Sequence, residues 1–295
     1  MKYKTPAAFR RALEERLRNQ SLSGARPLDR LRKAVAFDRL LARLSRSKRP
    51  AWVLKGGFAL QLRRAGTARA TKDVDFSASG MISREEASGI LRLAAAHPMR
   101  DWFEFEIGHP ARAATGAPGH GLRFPVRCLL DGRLFETFHL DLGFGDPMPD
   151  GPEKITGPPL LEFAGIPPTT FFCCPLTSHI AEKLHAYTRT YKSGASTRAR
   201  DLVDILLIAS FARLGGVKLR RAVHATFEAR AAQRVPTNLP EPAQILAPSY
   251  RNLAKEIGLS WATLDDAGRA AAAFLNPVLQ AGVRGKWDPS RWKWV

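Results

Sequence analysis

The sequence predicts a mixed α/β protein: a small mixed β-sheet core led by two helices and followed by a helical second half. Three observations predict it. Short apolar runs broken by glycine and aspartate crowd residues 51–78, two alternating runs flank an Asp-Gly dipeptide at 131–132, and apolar residues recur at helical spacing beyond residue 169.

Taken in order, residues 6–19 read as a helix, with Thr5 as N-cap and Pro6 in the first turn, where a missing N–H costs nothing. A second helix covers 28–47, with Leu28, Leu31, Val35, Leu41 and Leu44 as its apolar stripe and "SKRP" at its end. "AWVL" (51–54) is a short buried strand, Gly56-Gly57 breaks it, and "FALQLRR" turns helical. "DVDFSA" (73–78) is another strand. After a helix at 83–97 come "WFEFEIG" (102–108), "GLRFPVRCLL" (121–130) and "RLFETFHLDLG" (133–143), the last two joined by a two-residue hairpin turn. Residues 145–168 are rich in Pro and Gly, as a linker or long loop would be. Helices follow at 176–190, 198–213, 217–232, 249–257 and 262–280, and the tail "AGVRGKWDPSRWKWV" is polar and tryptophan-rich. The expected domains are therefore 1–150, the sheet core with its basic N-terminal helices, and 169–295, a helical domain with a basic tail.

Composition narrows the function. Within 295 residues, 46 Lys and Arg against 27 Asp and Glu leave a net charge of +19, which argues for a polyanionic partner, nucleic acid first. Residues 1–50 carry 15 basic and 4 acidic side chains, so these helices are candidates for gripping phosphates. In the tail, Arg284, Lys286, Arg291 and Lys293 interleave with Trp287, Trp292 and Trp294; the indoles either stack on unpaired bases or pack back on the helical half. Three cysteines without CxxC spacing fit neither a zinc site nor a disulfide scaffold. No run approaches the roughly 18 apolar residues of a membrane span, and the start reads as an amphipathic helix, so a cytoplasmic protein without membrane attachment is expected.

The chemistry lies in the carboxylates. Residues two apart in a strand project to one face, so Asp73 and Asp75 are neighbours, with Val74 and Phe76 on the apolar side. Like charges so close call for protonation or a cation, and magnesium prefers carboxylate oxygens. In "RLFETFHLDLG", Leu134, Phe138, Leu140 and Leu142 share one face, and Asp141 lies on the other with Thr137 and His139. Three strand-borne aspartates can clamp two divalent ions about 3.5–4 Å apart for in-line nucleotidyl transfer. The Gly56-Gly57 turn between strand and helix would let backbone N–H groups approach a phosphate, although such a turn often wants glycine for its geometry alone.

In this order, "LKGGFAL" and "RATKDVDFS" resemble the DNA polymerase β-type nucleotidyltransferases, and within them the AbiEii-like toxins of type IV toxin–antitoxin systems, the group that includes the MenT toxins. That group carries a Gly-Gly or Gly-Ser turn, an Asp-x-Asp or Asp-x-Glu pair, a downstream lysine and an Arg-Asp-x-x-Asp segment. Here the second turn position is Gly57 rather than serine, which removes a hydroxyl that could touch phosphate. "SHIAEKLHAYTR" offers Lys183, and "SGASTRARDLVDILL" offers Ser196, Arg200, Asp201 and Asp204; the resemblance covers roughly residues 50–210.

The resemblance implies a nucleotidyltransferase fold in which Asp73, Asp75 and Asp141 hold Mg²⁺ or Mn²⁺, and Gly56, Gly57 and Lys183 meet the NTP phosphates. Arg200, Asp201 and Asp204 would complete the site, with Asp201 among its catalytic groups. It also implies RNA as acceptor, most characteristically the 3′ end of tRNA, and an antitoxin protein encoded nearby. On residue chemistry alone Lys183 reads first as a solvated helix lysine, and Asp201 and Asp204, one turn apart near Arg198 and Arg200, as readily as a surface ion-pair cluster. His185, one turn beyond Lys183, fits a half-buried histidine better than a general base. Two other readings stay open: a small-molecule nucleotidyltransferase of the antibiotic-modifying kind, and a non-catalytic nucleic-acid-binding protein of the same fold.

Overall fold

The computed structural model of the chain describes residues 1–24, 26–46, 52–64, 71–78, 83–112, 121–189, 198–231 and 233–295, with Arg84 and Arg112 described by backbone alone. Ser196 lies outside them. The described residues form two compact units, one of 1–145 and 153–173, the other of 146–152 and 174–295. Among them no helix is long and apolar enough to cross a membrane.

The first unit runs α1 (Pro6–Leu22), α2 (Leu28–Leu44), β1 (Trp52–Lys55), α3 (Gly56–Arg63), β2 (Asp73–Ala78), α4 (Arg84–Ala95), β3 (Phe103–Ile107), β4 (Ala111–Arg112), β5 (Leu122–Leu130), β6 (Arg133–Phe144), β7 (Glu153–Thr156) and β8 (Thr170–Cys173). Thr5 caps α1 by accepting from the Ala8 N–H, and Ser83 and Glu86 close a reciprocal capping box on α4. The sheet order is β3-β5-β6-β2-β1-β8-β7, with β4 also on β5. Strand β2 is parallel to β6 and antiparallel to β1, so the sheet is mixed.

Its register decides what each face carries. Leu54, Phe76, Leu142 and Leu122 are partners across four strands, and Val74, Leu140 and Phe124 form the next such row. All seven are buried in one core, shared with Phe9, Leu13, Val35, Phe37 and Leu40 of α1 and α2 and with Leu91 of α4. Because alternate residues face opposite ways, the rows between them carry polar side chains on the other face.

The expected hairpin at Asp131-Gly132 is present, both residues having positive φ (56° and 65°), as a tight two-residue turn requires. One detail of β6 differs from the alternation read in the sequence. The register slips between Cys128 and Leu129, leaving Phe135 as an extra residue; Phe135 is 5% exposed and Leu134 49% exposed. A bulge inverts facing beyond itself, so Leu134 leaves the apolar face to which its spacing assigned it.

The Pro- and Gly-rich stretch read as linker or loop also differs, for it contains β7, and β8 follows close behind; both extend the sheet beyond β1. The basic N-terminal helices keep some of their charge inside. Arg39 and Arg43, at 2% exposure each, are buried beside Asp38 and Asp101, and Arg43 holds Asp101 through both oxygens at 3.0 and 2.7 Å. Burial raises the Asp38 carboxyl's pKa against the pull of Arg39. Arg10 donates to the carbonyls of Leu130, Arg133 and Leu134 around the hairpin. Part of the basic excess is therefore structural.

The second unit holds α5 (Leu176–Thr188), α6 (Ala199–Phe211), α7 (Gly216–Arg230), α8 (Ala247–Ile257), α9 (Leu264–Leu279) and a hairpin of β9 (Trp287–Asp288) and β10 (Lys293–Trp294). Helix α6 is buried from Asp201 through Ala209 and packs against α5, α8 and α9. The tail settles which way its tryptophans turn. Trp287 is fully buried and donates to the Ala209 carbonyl at 2.8 Å, while Trp292 and Trp294 donate to the carbonyls of Ala270 and Phe274. Trp294 stacks on Phe274, so the tail packs back on the helices, with Trp287 in the core and Trp292 and Trp294 half-buried.

Candidate active site

The polar face of the sheet carries one row of charge. Lys55, Asp75, Asp141 and Arg123 are register partners across β1, β2, β6 and β5, so two adjacent carboxylates lie between two cations. Asp73, two residues before Asp75, stands beside His139 in the row below. These side chains are half-buried: Asp73 is 34%, Asp141 23% and Arg123 35% exposed.

Arg123 binds this group together. Its Nε and Nη2 each donate at 2.7 Å to Asp141, one to each oxygen, and Nη2 also reaches Oδ2 of Asp73 at 3.2 Å. The hydrogen bonds to Asp141 push the guanidinium's pKa further up, with added pull from the charges of Asp141, Asp73 and Asp75 against partial burial. His139 Nδ1 lies 3.7 Å from the other Asp73 oxygen.

The glycine turn is tied to the same carboxylates. Gly56 opens α3 with φ +68°, and a Cβ built on it would lie 1.9 Å from Oδ2 of Asp75. The Asp75 carboxylate thus packs over the first residue of a helix, where the dipole favours an anion. Gly57 is buried in the same turn.

A divalent ion fits this donor set by chemistry: three carboxylates from adjacent strands, turned to one partly open face. As arranged, however, both Asp141 oxygens are committed to Arg123, and among the described residues no three His, Cys, Asp or Glu side chains converge as a metal's ligands.

The remaining expected residues lie in the second unit. Lys183 of α5 sits 3.0 Å from Asp201 and 2.8 Å from Asp204 of α6, with Arg198 3.5 Å from the other Asp201 oxygen. Asp204 is fully buried and the Lys183 side chain only 16% exposed. This is neither a solvated lysine nor a surface ion-pair cluster. Arg200, by contrast, is exposed. His185 is 3% exposed, packs edge-on to Phe227, and has its pKa pulled down to about 4 by burial and then by Arg230 and Arg189.

Residues 39–270 match the family described as the nucleotidyl transferase AbiEii toxin of type IV toxin–antitoxin systems. The chain belongs to the AbiEii family. Among solved structures it shares its fold with MenT4, a nucleotidyltransferase toxin from Mycobacterium tuberculosis, at a TM-score of 0.53 and 21% identity, covering 92% of this chain and 99% of that one. JHP933 from Helicobacter pylori is similar at a TM-score of 0.45 and 16% identity, over 84% of this chain and 94% of that one. No curated protein matches the sequence.

Within this AbiEii chain, Arg123 is the residue at the site that sequence reasoning missed. Its signal was present: an arginine among the apolar alternations of "GLRFPVRCLL", two strands from Asp75 once the Asp-Gly hairpin is folded. Lys55 was missed likewise, because it reads as the polar end of a short strand until paired with Asp75.

Proposed function

We propose that this AbiEii chain is a metal-dependent toxin that transfers nucleotides from NTP to RNA, above all to the 3′ end of tRNA, and so blocks translation. An antitoxin protein encoded nearby restrains it. The observation that carries the proposal is the set of Asp73, Asp75 and Asp141 on one half-open sheet face, beside a glycine turn, in a chain of this family.

In the reaction, the acceptor hydroxyl oxygen attacks the α-phosphorus, the bond from that phosphorus to the bridging oxygen breaks, and pyrophosphate leaves. Asp141 receives the hydroxyl proton or would hold the metal that the hydroxyl meets. Asp73, Asp75 and Asp141 would hold Mg²⁺ or Mn²⁺, which when bound offsets the charge developing on the phosphates. Lys183 supplies fixed positive charge to the triphosphate, its ammonium held in place by Asp201 and Asp204. Arg200, exposed at the start of α6, is free of the core and suited to a phosphate contact. The net charge of +19 supports a polyanionic acceptor over a cationic antibiotic.

The test is incubation of the full chain with Mg²⁺, each labelled NTP in turn and total tRNA or an aminoglycoside as acceptor, beside Asp73→Ala. Label on tRNA with the parent, and a fall of about a hundredfold or more in the variant, is expected. Salt-dependent RNA binding without label transfer would make the chain a non-catalytic RNA binder, and label on an aminoglycoside instead of RNA would assign it a small-molecule acceptor.

A further inference from the structure

At the acid row a cation already occupies the carboxylates. The guanidinium of Arg123 spans both oxygens of Asp141 and reaches one of Asp73, and Asp141 is flanked on its other side by Asp75. Two carboxylates that abut across a parallel strand pair repel, and a planar fork of fixed charge is a good way to hold one of them in place without a metal. The same fork is a competitor. A divalent ion placed on Asp141 would have to share its oxygens with a cation already bound there, and like charges in so short a span disfavour joint occupancy.

The register shows this to be built into the sheet. Arg123 is the direct β5 partner of Asp141, and its neighbours Leu122 and Phe124 are anchored in the core at 8% and 0% exposure. The backbone therefore fixes where the side chain starts. The Arg123 side chain is 35% exposed, which leaves it solvent to swing into.

We propose that Arg123 is a positioning residue that stands in for the divalent ion, holding Asp141 and Asp73 while no metal is bound and giving up Asp141 when one arrives. It rests on the metal-dependent reading of this site. Arg123 thereby orders the carboxylates in advance and lowers the affinity for metal in the absence of nucleotide. When an NTP brings its own metal, the displaced guanidinium has phosphate oxygens to pair with in the same bidentate geometry.

The experiment is a Mn²⁺ titration of the full chain without nucleotide, reading free Mn²⁺ by electron paramagnetic resonance, for the parent, Arg123→Gln and Arg123→Lys. Arg123→Gln removes the competing charge and is expected to bind Mn²⁺ about tenfold tighter or more. Arg123→Lys keeps the charge but cannot span both oxygens, so its affinity is expected between the two; it also carries the test if the glutamine variant does not fold. Equal or weaker binding by Arg123→Gln overturns the proposal, because the arginine would then be only a scaffold for the acids. Parent-like binding by Arg123→Lys overturns it too, since net charge and not occupation of Asp141 would be at work. If the parent binds Mn²⁺ and transfers nucleotide while neither variant binds tighter, the role of Arg123 alone fails. If none of the three binds Mn²⁺ without nucleotide, the role of Arg123 fails because it has nothing to compete with, and the metal-dependent reading fails only if label transfer to tRNA also persists with the divalent ion left out.

Discussion

A side chain at position 56 would meet two penalties at once. Its backbone sits at φ +68°, and its Cβ would lie 1.9 Å from an Asp75 oxygen, so the Asp75 carboxylate would have to leave its place while the backbone penalty stays. Gly56→Ala is expected to cost about 2–4 kcal/mol of stability, the sum of a left-handed backbone penalty and overpacking. Urea unfolding of Gly56→Ala, Asp75→Ala and the double variant checks this. With the Asp75 carboxylate gone, the alanine at 56 should cost about half as much, and strictly additive losses would show that Asp75 is not what position 56 must avoid. The glycine pair was legible in the sequence as a break between strand and helix. Its partner was not, because Asp75 comes to Gly56 only through the antiparallel pairing of β1 with β2.

At the scale of elements, α5 and α6 are joined by one lysine between two buried acids. Helix α6 turns Asp201 and Asp204 to Lys183 of α5, at 5% and 0% side-chain exposure. Taking away the Lys183 charge leaves those carboxylates without their ammonium in a low-dielectric setting. A lysine that met only solvent or phosphate would be replaceable with the fold intact; because Lys183 also joins two buried acids, Lys183→Met is expected to lower stability by about 2–4 kcal/mol. Adding Asp204→Asn should recover a substantial part of the loss, and thermal and urea unfolding of the single and double variants reads both. No loss in Lys183→Met would return the lysine to a purely catalytic role. Helix periodicity located both elements, but it could not show that their charged residues face each other, since facing depends on how two helices pack. Strands β7 and β8 escaped for a different reason: each is 4 residues long and lies beside Pro- and Gly-rich sequence, so its strand character comes from the sheet it joins.

For the molecule as a whole, the charge of +19 is not all available to a partner. Arg39 and Arg43 are consumed in a buried network, and Lys183 and Arg123 are each held by two aspartates. Enough remains exposed, including Arg11, Arg16, Arg18, Lys218, Arg220, Arg284, Lys286, Arg291 and Lys293, to neutralise several phosphates. Binding of tRNA is therefore expected to fall about a thousandfold between 50 and 200 mM salt, as for a protein making about six phosphate contacts. Fluorescence anisotropy with labelled tRNA measures this, and an affinity indifferent to salt would remove RNA as the partner.

What the sequence determined by itself was local: the helices, the Asp-Gly hairpin, the alternation that puts Asp73 and Asp75 opposite Val74 and Phe76, and the motif order that marks the family. Each of these depends on residues a few positions apart, within reach of backbone periodicity and turn chemistry. Only the tertiary structure decided which charges meet. The order β5-β6-β2-β1 sets Arg123 on Asp141 and Lys55 beside Asp75, and the packing of α9 against the tail ties Trp292 and Trp294 to helix carbonyls. Those pairings join segments distant along the chain, and the energy that selects them is burial of the opposite, apolar faces, in which the charged residues take no part.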